Sequence, residues 1–188
     1  FYVNEDRQTC LFSATMPPEI LRLAEEYMRQ NKIEHVRLNE EEITLETIDQ
    51  SYLVVEEREK FKHLMDFIRR NQNTKSQTIV FAATKQRADR LAYKLRQEGF
   101  SAVTIHGDLS QKQRDNAMHK FKRGAEDILV ATDIAARGID VQAVGNVINY
   151  DVPEDPNVYF HRIGRTARAG GEGNAISLVS NDRISDFG

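Results

Sequence analysis

The sequence predicts an α/β fold, a parallel and doubly wound sheet with helices on both faces. Three observations carry this. From Ile48 onward, short apolar runs alternate with segments of helical periodicity. The run from Thr78 to Ala82 is continuously apolar rather than alternating, as a parallel strand covered on both faces should be. The polar and glycine-bearing segments that interrupt the pattern fall directly after strands, where sheets of this kind bind their ligands.

Each element has its own signal. Thr9 to Phe12 reads as a short buried strand broken by Ser13-Ala14-Thr15-Met16-Pro17-Pro18. The two prolines suit the first turn of a helix, along which Ile20, Leu23, Ala24, Tyr27 and Met28 fall at helical spacing. Glu34 to Leu38 reads as a second strand. Residues 39–47 carry four glutamates without periodicity and read as a linker. Ser51 to Val55 is then a strand, and Phe61, Leu64, Met65 and Ile68 mark a helix over 57–70. After the strand at 78–82, Ala88, Leu91, Ala92 and Leu95 line a helix closed by Gly99. Ala102 to Ile105 is a strand. Ser110 and Gln113 form a capping box that opens a helix with Ala117, Met118 and Phe121 inward and Gly124 beyond its end. Strands follow at 127–131 and 146–150. Asp155-Pro156 is a cap followed by a first-turn proline, and Ala175 to Val179 is the last clear strand. Residues 181–188 read as the start of a helix.

Composition bounds the function. The chain has 188 residues, 40% of them hydrophobic and 29% charged, with a net charge of −3. That length buries a sizeable core without disulfides or metal. The single cysteine, Cys10, lies in an apolar context and reads as a buried thiol; one cysteine builds neither a disulfide framework nor a cysteine-based zinc site. No apolar run approaches the roughly 18–20 residues that span a bilayer, and no signal-peptide pattern opens the chain. A cytoplasmic, reducing compartment is the expectation. Residues 1–50 hold 5 Lys+Arg against 11 Asp+Glu, whereas 51–188 hold 21 against 18. The second part is therefore mildly basic, with its arginines clustered, as a local phosphate-binding face would be.

The densest cluster is His161-Arg162-Ile163-Gly164-Arg165-Thr166-Ala167-Arg168-Ala169-Gly170. Its arginines recur every third position, which on a helix places them on one face. Like charges repel, so their crowding points to an anion opposite, and guanidinium is the planar fork that suits phosphate oxygens. A solvated basic turn is the bland alternative. The segments at 83–85, 106–108, 132–133 and 136–140 are expected to share one rim of the sheet with the loop before the last strand. Gly138 is either a turn glycine or part of a phosphate-contacting loop, Asp140 a cap or an acceptor for a sugar hydroxyl, and Thr84 a helix cap or a phosphate contact. Gln111 and Arg114 are either exposed helix residues or supports for such a site. No Gly-x-x-x-x-Gly-Lys-Ser/Thr loop, no Asp-Glu pair after a strand and no Cys/His cluster with metal-ligand spacing is present. Arginines for phosphate without a nucleotide cradle suggest half of a split active site.

In their order and spacing, Leu-Phe-Ser-Ala-Thr-Met-Pro at 11–17, the loop at 81–85, His106-Gly107-Asp108 with Gln111 and Arg114, Ala-Arg-Gly-Ile-Asp at 136–140 and His161–Gly170 resemble the motifs of DEAD-box RNA helicases. The resemblance covers almost the whole chain. The motif beginning at His161 is the most specific, and Ala167 departs from it, since glycine is common there. The resemblance implies a RecA-like parallel sheet flanked by helices on both faces. It implies that 1–39 is the tail of a first RecA-like domain, 40–47 the interdomain linker and 48–188 the second domain. The P-loop and the Asp-Glu-Ala-Asp motif are then expected upstream of Phe1, leaving this fragment inactive by itself.

Roles implied by the resemblance attach residue by residue. Arg165 and Arg168 resemble arginine fingers toward the ATP γ-phosphate, with His161 and Arg162 supporting them. Asp140 resembles the ribose contact, and Arg137 and Gly138 resemble interdomain and RNA-contacting positions. Thr84, Gly107, Asp108 and Thr132, supported by Gln111 and Arg114, resemble residues that hold the RNA sugar-phosphate backbone. Ser13, Ala14 and Thr15 resemble the motif that couples ATP state to unwinding. The implied cofactor is ATP with Mg2+, the metal being held by the first domain. The implied partners are RNA, bound without regard to sequence, and the first RecA-like domain. No membrane partner is expected. An orphaned apolar strand at 9–12 would pack on the second domain or on another chain, as in a strand-swapped dimer. A non-catalytic RNA-clamping module and a DNA-directed translocase are the competing functions.

Overall fold

The structure, a computed structural model, describes residues 4, 6–13, 16, 18–28, 33–36, 48–71, 76–133, 144–166 and 173–181. The chain divides into two compact units, Phe1–Glu40 and Glu41–Gly188.

The first unit holds one regular element among its described residues, helix α1 (Pro18–Tyr27). The expected strand at Thr9–Phe12 does not form. Residues 7–13 have no regular structure, Phe12 is 90% exposed and Cys10 is exposed rather than buried. The physical reason is that strand backbone needs a neighbour to take its N–H and C=O groups, and no strand among the described residues pairs with this segment. Residues 33–36, expected to begin another strand, are likewise irregular. The apolar stripe of α1 buries only Ala24, while Leu23 and Tyr27 remain exposed.

The second unit is a six-stranded sheet, all parallel: β1 (Ile48–Val55), β2 (Thr78–Phe81), β3 (Ala102–Ile105), β4 (Ile128–Ala131), β5 (Asn146–Asn149) and β6 (Gly173–Ser180). Their spatial order is β1-β6-β5-β2-β4-β3. Among the described residues, helices α2 (Lys60–Asn71, preceded by a 3-10 turn at Glu57–Glu59), α3 (Lys85–Gln97), α4 (Gln111–Lys122) and α5 (Pro156–Ile163) lie in four of the five connections between successive strands. Leu64, Met65 and Ile68 of α2 and Ala88, Leu91, Ala92 and Leu95 of α3 pack with Val80, Val130 and Ile148 on one face. Phe121 of α4 packs with Ile79, Phe81, Leu129 and Val147 on the other. Ile163 of α5 joins Ile48 and Ala175. The strands β2, β4 and β5 are buried along their whole length, which is why Ile79-Val80-Phe81, Ile128-Leu129-Val130-Ala131 and Val147-Ile148 run apolar without alternation.

The local signals account for the helix boundaries. Thr84 Oγ1 accepts from Arg87 N at the start of α3, and Gly99 beyond its end has φ +86°. Ser110 and Gln113 complete both halves of the capping box of α4, and Gly124 follows with φ +71°. Asp155 caps α5 through Asn157 N, with Pro156 in the first turn.

The chain leaves β2 toward the β4–β3 side and leaves β5 toward β6. The crevice at the carboxyl ends of β2 and β5 is therefore the switch point at which a doubly wound sheet presents a site. It is lined by Ala83 and Thr84 after β2, Thr132 and Asp133 after β4, and Tyr150 and Asp151 after β5.

Candidate nucleotide and nucleic-acid interface

Arg162 and Arg165 do not share a helix face. Helix α5 ends at Ile163, capped by Gly164, so Arg162 is helical and Arg165 lies in the following turn. A helical side chain leans toward the N-terminus of its helix. Since α5 begins near the carboxyl end of β5, Arg162 reaches back to that rim. Its Nε and Nη2 donate to Asp133 Oδ1 and Oδ2 at 2.6 and 2.8 Å, a bidentate pair. Its Nη1 donates to Asn149 Oδ1 at 3.0 Å and to the Asp151 carbonyl at 2.6 Å. The guanidinium lies over the Phe81 ring, 4.9 Å from its centroid. With a side chain 3% exposed and its donors taken up inside the protein, Arg162 is a brace rather than a phosphate ligand. The expected convergence of its guanidinium with that of Arg165 is thereby corrected.

Arg165 lies at the other end of the strands. Thr166 is fully buried and forms a parallel bridge with Val144; its Oγ1 donates to the Val144 and Gly145 carbonyls. Val144 N donates to the Arg165 carbonyl at 3.1 Å. Val144 and Gly145 lead into β5, so this turn is pinned at the amino end of that strand. Arg165 and Thr166 therefore do not share the carboxyl rim, because a parallel strand is entered from the opposite edge. Arg165 is half-buried and His161 is exposed on α5. Arg168 lies outside the described residues, as do Arg137, Gly138, Asp140, Ala14 and Thr15. Ser13 is exposed within the first unit.

The other predicted residues gather on the carboxyl rim of β2, β3 and β4. Thr84 is exposed; because its oxygen accepts from Arg87 N, its own hydroxyl proton remains to donate outward. Thr132 is nearly buried, and its N–H donates to Ile105 O at 3.2 Å, tying the exit of β4 to that of β3. Gly107 and Asp108 are exposed after β3, and a Cβ at Gly107 would meet no atom within 4 Å. Asp108 Oδ2 pairs with Lys85 Nζ at 2.6 Å, joining the loop after β3 to the start of α3. Gln111 is exposed and donates to Asp115 Oδ1 at 2.7 Å along its own helix, and Arg114 is half-buried. Behind the loop, His106 is 4% exposed and its Nε2 lies 3.1 Å from Asp89 Oδ1, which also accepts from Thr104 Oγ1.

Sequence reasoning missed a second charged cluster at the same crevice. Asp151 Oδ2 accepts from Ala83 N at 2.9 Å and forms an ion pair with Arg87 Nε at 3.0 Å, and its Oδ1 lies 3.5 Å from Lys60 Nζ. Glu57 pairs with Lys60 at 3.1 Å and with Arg87, and accepts from Ser180 Oγ at 2.9 Å. Lys60 and Arg87 both lie over the Tyr150 ring, at 5.7 and 5.2 Å from its centroid. Burial pushes the Tyr150 hydroxyl above its ordinary pKa; Arg87 opposes this and Asp151 adds to it. One signal was available in the sequence: Lys60 stands four residues before Leu64, on the buried stripe of α2. A lysine at a buried position needs a carboxylate opposite.

No group of three or more His, Cys, Asp or Glu residues that could hold a metal occurs among the described residues. None of their helices is long and apolar enough to cross a membrane.

Residues 59–170 match the family described as helicase conserved C-terminal domain. The DEAD-box ATP-dependent RNA helicase CshA of Bacillus subtilis is 48% identical over 178 residues, covering 95% of this chain and 35% of the relative. A solved structure of S. cerevisiae Dbp5, bound to RNA and ADP BeF3, superposes with a TM-score of 0.80 at 34% identity, over 98% of this chain and 48% of that one. A DEAD box protein from Methanococcus jannaschii matches with a TM-score of 0.69 at 43% identity, again over 98% of this chain and 48% of that chain. The chain thus spans about a third of the length of the curated relatives it matches.

Proposed function

The chain belongs to the DEAD-box helicases, as their RecA-like C-terminal domain region, and from that premise we propose that it supplies one wall of an ATP- and RNA-binding cleft in an RNA-stimulated ATPase that opens duplexes locally. Thr84, Gly107, Asp108 and Thr132, with Gln111 and Arg114 behind them, face the sugar-phosphate backbone of RNA. Lys85, paired with Asp108, adds a cation beside that carboxylate. Arg165 and Arg168 serve the γ-phosphate of ATP, and Arg162 and His161 hold their turn. Asp140 meets the ribose, with Arg137 and Gly138 at the domain junction. Ser13, Ala14 and Thr15 belong to the ATP-sensing motif of the first domain. Mg2+ is held by that first domain.

The observation that supports this reading best is the separation of the two residue sets. The residues assigned to RNA gather on the carboxyl rim, the arginine turn sits at the amino end of β5, and Arg162 links that turn to Asp133, the neighbour of Thr132. Such an arrangement suits a domain that closes on two ligands at once, since each ligand then favours the same closed state. Contacts to backbone rather than base edges make binding indifferent to sequence and sensitive to salt. The 2′-hydroxyl is the group available to distinguish RNA from DNA.

The test is ATP hydrolysis and duplex unwinding by the full-length protein, with RNA and DNA of one sequence compared. Hydrolysis stimulated by RNA and not by DNA is expected. Equal stimulation by DNA would favour a DNA-directed translocase, and RNA binding without hydrolysis would favour a clamp. The 188-residue chain, which has no glycine loop to cradle phosphates, is expected to hydrolyse no ATP.

A further inference from the structure

Asp151 occupies a position that no motif marks. Its side chain and its backbone serve opposite faces of the sheet. The carboxylate turns toward the α2 and α3 side, where it accepts from Ala83 N and Lys60 Nζ and pairs with Arg87. The carbonyl turns toward the α5 side, where Arg162 Nη1 donates to it at 2.6 Å. Ala83 immediately precedes Thr84 on the RNA rim. Arg162 is continuous with the arginine turn, since Arg165 N donates to the Arg162 carbonyl at 3.1 Å and Gly164 N donates to Phe160 O.

The surrounding charges balance. Lys60, Arg87 and Arg162 face Glu57, Asp151 and Asp133. Lys60 and Arg162 have side chains only 4% and 3% exposed, and that of Asp151 is 12% exposed. A buried network of this kind has few arrangements that satisfy every member. Movement at one end therefore demands a matching movement at the other.

We infer that Asp151 is a positioning residue that couples the RNA-facing loop after β2 to the arginine turn after α5. The relay runs from Ala83 N through the Asp151 carboxylate and carbonyl to the Arg162 guanidinium, and along the backbone of Arg162 to Arg165. Seating of RNA against Thr84 fixes Ala83 and Asp151, and Asp151 fixes the angle at which α5 presents Arg165. The inference rests on the proposed RNA and ATP roles of the two ends.

The experiment measures RNA affinity of the full-length enzyme with and without ADP–beryllium fluoride, together with the RNA concentration giving half-maximal ATPase. In the unaltered enzyme the nucleotide is expected to tighten RNA by about 5–150-fold, the usual range for two linked sites. Asp151→Asn keeps an acceptor for Ala83 N but turns an amide donor toward Arg87 and Lys60. It is expected to cut the tightening about tenfold while leaving nucleotide-free RNA affinity within about twofold. Leu95→Ala, a core change in α3 remote from the network, lowers thermal stability and should leave the tightening intact. If Asp151→Asn does not fold, Arg87→Met gives the same readout, with a smaller loss expected. Unchanged tightening in a folded Asp151→Asn enzyme, or in Arg87→Met where that variant decides, overturns the inference, as does an equal loss in Leu95→Ala. Absence of tightening in the unaltered enzyme would instead overturn the proposed function beneath it.

Discussion

Replacing Arg162 by alanine should destabilise the second unit severely, although the residue stands in a motif read for phosphate. The guanidinium makes four hydrogen bonds to acceptors on three residues: both Asp133 oxygens at 2.6 and 2.8 Å, Asn149 Oδ1 at 3.0 Å and the Asp151 carbonyl at 2.6 Å. Removing one partner of a buried ion pair costs about 3–5 kcal/mol, largely through the charge left behind. Asp133 has a side chain 35% exposed and can recover water, which argues for the lower end. Asn149 is fully buried, so its side-chain oxygen loses a donor that water does not readily replace. The expected loss is about 3 kcal/mol, or a fall in Tm of about 6–12 °C for a domain of this size. The chain has no tryptophan, so the assay is urea unfolding followed by far-ultraviolet circular dichroism on the 188-residue chain. Arg162→Met with Asp133→Asn closes a double-mutant cycle, and the double variant should be more stable than the sum of the singles. A loss below about 1 kcal/mol for Arg162→Ala would refute the brace and reinstate a solvent-facing phosphate ligand.

Two further outcomes follow from the packing. A Cβ at Gly145 would lie 2.4 Å from Ser76 Cβ and 2.6 Å from Ser76 Oγ, while the Gly145 carbonyl is fixed by Asn174 N at 3.0 Å. Gly145→Ala should therefore cost about 1–3 kcal/mol in urea unfolding, and Ser76→Gly should restore most of it. Tyr150 carries a raised pKa, mainly from burial. Its neutral form is favoured in the fold, so its contribution is complete below the unfolded tyrosine value of about 10 and is lost as pH rises through the higher folded value. The urea midpoint should fall more steeply above about pH 10 in the unaltered chain than in Tyr150→Phe, and parallel slopes would contradict the burial argument.

The second unit was legible because its signals are local. The stripe Leu64, Met65, Ile68, the stripe Ala88, Leu91, Ala92, Leu95, the Ser110–Gln113 box and the Asp155 cap each lie within a few turns of sequence, and each element formed where its signal stood. The first unit was misread at Thr9–Phe12 because apolarity marks a strand only when a neighbour completes its hydrogen bonds. The arginine spacing misled for a related reason. Three-residue periodicity means one face only while the helix lasts, and α5 stops between Arg162 and Arg165. The Asp151 cluster joins Lys60 and Ala83 to a residue 91 and 68 positions away, which no local pattern reports. Its one local trace is Lys60, four residues before Leu64 on the buried stripe of α2.

The central claim is that the turn after α5 serves ATP hydrolysis from across a cleft while its neighbour Arg162 serves the fold. RNA-stimulated ATPase of the full-length enzyme carrying Arg165→Ala or Arg168→Ala measures this most directly. Turnover should fall about 10³-fold or more, as when an arginine finger is removed, with the melting temperature and ATP affinity close to those of the unaltered enzyme. Turnover like that of the unaltered enzyme in both variants would contradict the account.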